Sequence, residues 1–191
     1  MAGHSKWAQI KRKKGVTDAA KSRVFSRFAR LISLEAKKCM GDMNAPSLLA
    51  VISRAKAVNM PKDNIERAVA KGMSRDSSEL EQVLYEAYGP GGVAIIIDAL
   101  TDNRNRTTQE IKHLLSKNGI ALAAPGAALW AFTNPSTSGP EGIFIPREPL
   151  IEIGGEDEEK LSTLLSAIDE HEDVQTAFTN ARGYETTSDG I

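Results

Sequence analysis

Charge is distributed along this chain in a way that restricts what it can fold into. Residues 1–77 hold 17 Lys or Arg and 6 Asp or Glu, a net +11, while residues 78–191 hold 7 and 19, a net −12. The two nearly cancel to −1 for the whole chain. The excess is steepest at the start, where residues 1–38 carry eleven basic side chains against only Asp18 and Glu35, or +9. So concentrated a charge repels itself and opposes compaction unless an anionic surface is brought against it. Two readings follow. Either a polyanion-binding front is joined to an acidic body, or the halves neutralise each other across an interface.

Length and composition set the frame. With 191 residues, 41% hydrophobic and 26% charged, the chain suits one large domain or two small ones of ordinary globular type. Its one cysteine, Cys39, excludes an internal disulfide and suggests a reducing compartment. His4, His113 and His171 lie far apart, and no Cys/His spacing resembles a metal site, so neither metal nor cofactor is expected. No apolar run is long enough to span a bilayer, and the start lacks the apolar core of a secretory signal. It is basic and acid-poor like a mitochondrial presequence, but Trp7 and Ile10 are isolated and form no apolar stripe. A cytoplasmic protein is expected.

Residues 1–15 contain few core-forming side chains and read as an extended arm. Thr17 or Asp18 then caps a helix to about Lys38. In it Val24, Phe25, Phe28, Ala29, Leu31 and Ile32 recur at three- and four-residue steps, so one face is buried. Arg23, Arg27, Arg30 and Lys37 repeat on another face as a basic stripe. Pro46 suits the first turn of a second helix and Pro61 opens a third, with Gly72 as its left-handed cap. These make a basic arm plus a three-helix domain over residues 1–77, closed by a polar linker at 74–78.

Beyond it the pattern changes. Residues 82–88 read as a strand, the Gly89-Pro90-Gly91-Gly92 stretch as a turn, and 93–100 as a strong β run. Thr107 and Glu110 form a capping box for a helix that Gly119 ends. Strands at 128–133 and 143–153, a helix at 156–171 and a strand at 174–179 complete the series. The fold class is α+β. Residues 78–183 have the split β-α-β-β-α-β order of ferredoxin-like domains with an extra hairpin strand, and 184–191 form a frayed tail.

The chemistry-bearing candidates are mostly cationic. Lys6, Lys11, Arg12, Lys13, Lys14, Lys21, Arg23, Arg27 and Arg30 can neutralise phosphates, and Trp7 offers a stacking surface for an unpaired base. The Lys-Arg-Lys-Lys run at 11–14 suits backbone contact rather than base reading. In the loop Thr101-Asp102-Asn103-Arg104-Asn105-Arg106-Thr107, Arg104 and Arg106 can clamp a phosphate at a helix start, or pair with Asp102 in a network of their own. The Tyr85-Glu86-Ala87-Tyr88-Gly89-Pro90-Gly91-Gly92 stretch lacks the Lys-Ser/Thr of a phosphate loop and reads as a hairpin turn. No nucleophile elbow, metal cluster or small-molecule pocket is visible, so no catalytic residue and no enzyme is expected.

Four segments resemble the YebC family of probable transcriptional regulatory proteins, whose mitochondrial relatives are translational activators. They are Met1-Ala2-Gly3-His4-Ser5-Lys6-Trp7, Asn59-Met60-Pro61-Lys62-Asp63, the two-tyrosine turn at 85–92 and the loop at 101–107. Residues 144–181 are similar too. The resemblance implies cytoplasmic nucleic-acid binding without catalysis, either on DNA or on ribosomal RNA and the ribosome. It also implies that no presequence precedes Met1, as in a bacterial member. A further alternative is a protein-interaction module whose basic arm binds a partner protein. Where the family carries a third domain, between about Thr133 and Phe144, this chain has a short bridge over residues 134–143.

Overall fold

Apolar side chains at helical spacing build the front of the molecule. In the computed structural model, which describes residue 6 and residues 18–74, 79–136 and 143–186, helix α1 spans Asp18–Lys38, α2 Pro46–Ala57 and α3 Lys62–Met73. Phe28, Leu31, Ile32 and Ala36 of α1 meet Leu48, Val51, Ile52 and Ala55 of α2, with Ile65 and Ala68 of α3, in one buried cluster. Gly72 corrects its expected role as a cap. It lies inside α3, and a Cβ there would stand 2.3 Å from the Ser33 carbonyl oxygen. Ser33 Oγ also donates to the Ala68 carbonyl at 2.7 Å. A missing side chain therefore lets two helix backbones cross in contact.

The second half is organised by one fully buried strand. Strand β1 (Glu81–Tyr88) turns back at Pro90–Gly92 into β2 (Ala94–Thr101), pairing antiparallel from Glu81↔Thr101 to Tyr88↔Ala94. Gly91 and Gly92 hold φ of 68° and 76° in that turn, conformations open to glycine but strained for other residues. Strand β5 (Val174–Thr179) pairs antiparallel with the other edge of β2, so the sheet order is β1-β2-β5. Helices α4 (Arg104–Lys117) and α5 (Gly155–Glu170) cover one face, where Ile95 and Ile97 meet Ile111, Leu115, Leu161 and Leu165. The opposite face buries Ala94, Ile96 and Phe178 beneath Phe132 and Phe144. Those phenylalanines belong to a hairpin of β3 (Phe132–Ser136) and β4 (Ile143–Pro146).

The class is α+β, and the element order matches the split pattern, but the pairing differs from a four-stranded ferredoxin-like sheet. β3 and β4 form their own two-stranded ladder because both edges of β2 are already taken, by β1 and β5. The strand expected over 143–153 stops at Pro146, since prolines 146 and 149 offer no N–H to a ladder. The one expected from 128 starts instead as a tight turn at Leu129–Ala131. Of the expected frayed tail, Tyr184 is buried and Thr186 bridges to Phe178. Residues 75–78 of the linker, 137–142 of the bridge and 187–191 of the tail lie outside the described residues.

Glu86, within the two-tyrosine turn, holds the loop that approaches it. Its buried carboxylate accepts from the backbone N–H groups of Gly126, Ala128 (2.6 Å) and Leu129 (3.0 Å), fixing the loop that leads into β3. Tyr88 donates to the Ala127 carbonyl and accepts from Trp130 Nε1 at 2.9 Å, tying the same loop from outside. Three N–H donors satisfy the buried charge, so that segment acts as an anchor.

For Gly72→Ala, helix propensity alone would add ~1 kcal/mol of stability. The clash with the Ser33 carbonyl should reverse the sign, and urea unfolding is expected to show a net loss of about 1–2 kcal/mol.

Candidate nucleic-acid interface

The basic stripe of α1 does not form one free surface. Arg27 Nη1 stands 3.0 Å from Asp169 Oδ1, and its other terminal nitrogen donates to the Asp169 carbonyl. Arg30 pairs with Asp173 and donates to the Glu172 carbonyl at 2.8 Å. Both acids lie in the C-terminal half. The expectation of a continuous free stripe through Arg23, Arg27, Arg30 and Lys37 is thus corrected, because three of the four face carboxylates of the same chain, Lys37 reaching Glu79 at 3.9 Å.

Asp173 is the centre of this contact. Its side chain is 3% exposed and receives Arg30 on one oxygen, with Arg106 Nη2 at 2.9 Å and Thr107 Oγ1 at 2.6 Å on the other. Its carbonyl accepts from the Leu100 N–H at 2.8 Å, joining the hub to the end of β2. Burial alone would raise the carboxyl's pKa, but the bonds from Thr107, Arg106 and Arg30 outweigh it, and the net shift is downward. Arg106 is correspondingly pushed up, chiefly by its bond to Asp173.

The loop before α4 is part of the same network. Asn103, rather than Thr107, caps the helix, its Oδ1 accepting from the Arg106 N–H at 3.1 Å. Thr107 is then free to sit one turn inside and bond Asp173. Arg104 pairs with Glu81 at 2.9 Å, and Arg106 also reaches Asp102 at 3.0 Å. Both guanidinium groups are thus paired with carboxylates of the same chain. The expected Thr107–Glu110 capping box is corrected, since the helix opens one turn earlier, at Arg104.

Glu110, His171 and Asp173 offer three ligand atoms within 4.8 Å of one another. Their donors are already engaged. His171 Nδ1 accepts from the Asp173 N–H at 3.2 Å, which puts the ring proton on Nε2, facing Glu110 Oε2 at 3.2 Å. No lone pair of the ring is left for a cation, and Asp173 is held by two arginines.

Other cations remain available. Lys21 is exposed and Arg23 half-buried, and neither makes an ion pair among the described residues. Lys6 pairs with Glu158 Oε1 at 3.0 Å, an oxygen that Tyr184 also donates to at 3.0 Å. Those two bonds, Lys6's first, lower the Glu158 pKa. Burial and then Glu158 push the Tyr184 hydroxyl up to about 12. Trp7, Lys11, Arg12, Lys13 and Lys14 lie outside the described residues. Between α1 and α3 lies a groove of about 750 Å³ that Lys21 shares with Arg67 and Lys71. The last two are additional to the sequence candidates, and their four-residue spacing places them together on α3. Among the described residues, no helix is long and apolar enough to cross a membrane.

Residues 5–75 match the TACO1/YebC protein N-terminal domain, and residues 80–138 match the TACO1/YebC second and third domain. A "Probable transcriptional regulatory protein" of Petrotoga mobilis is 45% identical over 155 residues, 80% of this chain and 60% of that protein. One of the same description from Leptospira biflexa is 43% identical over 189 residues, 94% of this chain and 76% of that one. The chain thus spans about 60% of the Petrotoga relative's length. With a Thermosipho melanesiensis relative the alignment runs over 236 positions, for a chain of 191 residues. The crystal structure of conserved hypothetical protein Aq1575 from Aquifex aeolicus superposes with a TM-score of 0.77 at 30% identity. It covers 93% of this chain and 97% of that one.

Asp173→Asn removes the charge but keeps the shape of the hub, leaving two partly exposed guanidinium groups without their carboxylate. A loss of about 2–3 kcal/mol is expected, below the ~3–5 kcal/mol of a fully buried broken pair. Because the folded pKa lies below the unfolded one, this carboxylate's contribution is complete above the ordinary Asp range. It fades as pH falls through the lower folded value. Urea midpoints measured from about pH 6 down to about pH 2 should therefore fall less steeply for Asp173→Asn than for the parent.

Proposed function

For a chain that belongs to the TACO1/YebC family, we propose the role of a non-enzymatic, nucleic-acid-binding regulator of gene expression in the cytoplasm. The observation that carries this reading is the cationic front. Residues 1–38 hold a net +9, and of that charge carboxylates of residues 78–191 engage Lys6, Arg27, Arg30 and Lys37 among the described residues. Lys21 and Arg23 of α1 make no ion pair among the described residues, and they follow the Lys11–Lys14 run in the sequence. Cations left in that position neutralise phosphates and release counterions when a polyanion docks.

The description shared by the curated relatives supports regulation of transcription on DNA. A second reading, binding to RNA or the ribosome, is favoured by the set of the helices. Reading a major groove needs a helix that projects its side chains into it. Here α3 lies backbone-to-backbone on α1 at Gly72, and its cations line a groove instead of a ridge.

Filter binding with duplex DNA, structured RNA and ribosomes at two salt concentrations tests the proposal. Six to ten phosphate contacts predict that affinity falls about 10³- to 10⁵-fold between roughly 50 and 200 mM salt, and a flat response would sink it. Lys21→Ala/Arg23→Ala should weaken binding with the melting temperature unchanged. Arg30→Ala should lower the melting temperature by several degrees, as expected for loss of ~1–2 kcal/mol in a domain of this size.

A further inference from the structure

The groove between α1 and α3 differs in chemistry from the ion-pair surfaces around it. Its floor is apolar, made of Phe25 and Leu80, packed against the helical core, and buried Met60. Its rim is basic. Lys21 and Lys71 are exposed and without an ion pair among the described residues, while Arg67 is oriented by the Asp63 carbonyl and the Asn64 side chain. Asp18 is the one acid in its lining among the described residues. A smaller recess of about 100 Å³ continues it toward Lys37, sharing Arg30, Ser33, Lys71 and Leu80. The rise along α1 from Lys21 to Lys37 is ~24 Å, long enough for several nucleotides of one strand.

An apolar floor under a cationic rim is what a single strand requires, since its bases can turn down onto the floor while phosphates follow the rim. A duplex keeps its bases stacked inside and has only phosphate ridges to offer, so the floor would contribute nothing to it. An acidic peptide would match the rim but would leave the floor uncovered. The lining also includes Ser22, Ser26 and Asn64. Hydroxyl and amide groups beside a sugar path can bond a 2′-hydroxyl, which distinguishes RNA from DNA.

We propose that the α1–α3 groove binds an unpaired RNA segment, with phosphates along Lys21, Arg67 and Lys71 and a base against Phe25. This rests on the nucleic-acid reading above and names the form of the ligand. The groove geometry is held by the Gly72 crossing, which keeps the two walls at a fixed separation.

Fluorescence anisotropy on the full chain at about 100 mM salt tests it. The probes are a fluorescein-labelled oligouridylate ten-mer, the corresponding deoxy ten-mer, a ten-base-pair RNA duplex and a polyglutamate peptide. The oligouridylate should bind more tightly than the other three. Arg67→Ala/Lys71→Ala should lower its affinity at least roughly tenfold and reduce the salt slope by about 1.4, the value for two single-strand phosphate contacts. Duplex affinity and melting temperature should hold. Ser26→Trp, which obstructs the groove without changing charge, should also weaken the oligouridylate. If duplex or deoxy strand binds as tightly, or if the double variant weakens every nucleic acid equally, the groove assignment is overturned while the general reading stands. Equal binding of polyglutamate would overturn it in favour of an acidic peptide. If no nucleic acid binds at low salt, both readings fall.

Discussion

A buried carboxylate stands where the two halves of this molecule meet. Asp173 lies just before β5, yet it collects Arg30 from α1, Arg106 and Thr107 from α4, and, through its backbone, the end of β2. Leu100, on that same strand end, packs into the helical cluster rather than the sheet core. Charge pairing and apolar packing thus meet at one place. Remove the carboxylate and α1 loses an ion pair to the rear half at the point where α1 and α4 meet on one side chain.

This contact also sorts the basic residues of α1 into two groups. The charge separation visible along the chain allowed two readings, a free polyanion-binding front and a front neutralised by the rear half. Both apply, to different residues. Arg27 and Arg30, one turn apart, face Asp169 and Asp173, whereas Lys21 and Arg23, nearer the helix start, face neither. Counting charge along the sequence cannot make this division, since it depends on where two acids more than 140 positions away fold back.

What could be read in advance follows the range of the interactions involved. Helices α1 to α3, the β1–β2 hairpin and β5 are governed by local periodicity and turn chemistry, and they form close to where those signals lie. Gly72 reads as a cap because its local neighbourhood matches a helix end, while the reason for a glycine is a carbonyl on another helix. The placement of β3 and β4 is hidden for a similar reason. Strand pairing is decided by which edges of β2 are already occupied, and no property of residues 128–153 reports that. Within the candidate interface, Lys21 and Arg23 were legible from spacing. Arg67 and Lys71 gain meaning only once α3 is laid beside α1.

The β3–β4 hairpin has an implication for how chains of this kind change length. Ser136 and Ile143 are partners in the ladder, so the two ends of the intervening stretch leave the body side by side. Partners in an antiparallel pair stand about 5 Å apart. A gate of that width can accommodate a few residues or an entire folded module, because the strain on the body is the same in either case and closing a longer excursion costs only logarithmically more entropy. Evolution could therefore graft or prune material at this doorway with Phe132 and Phe144 still seated on the sheet.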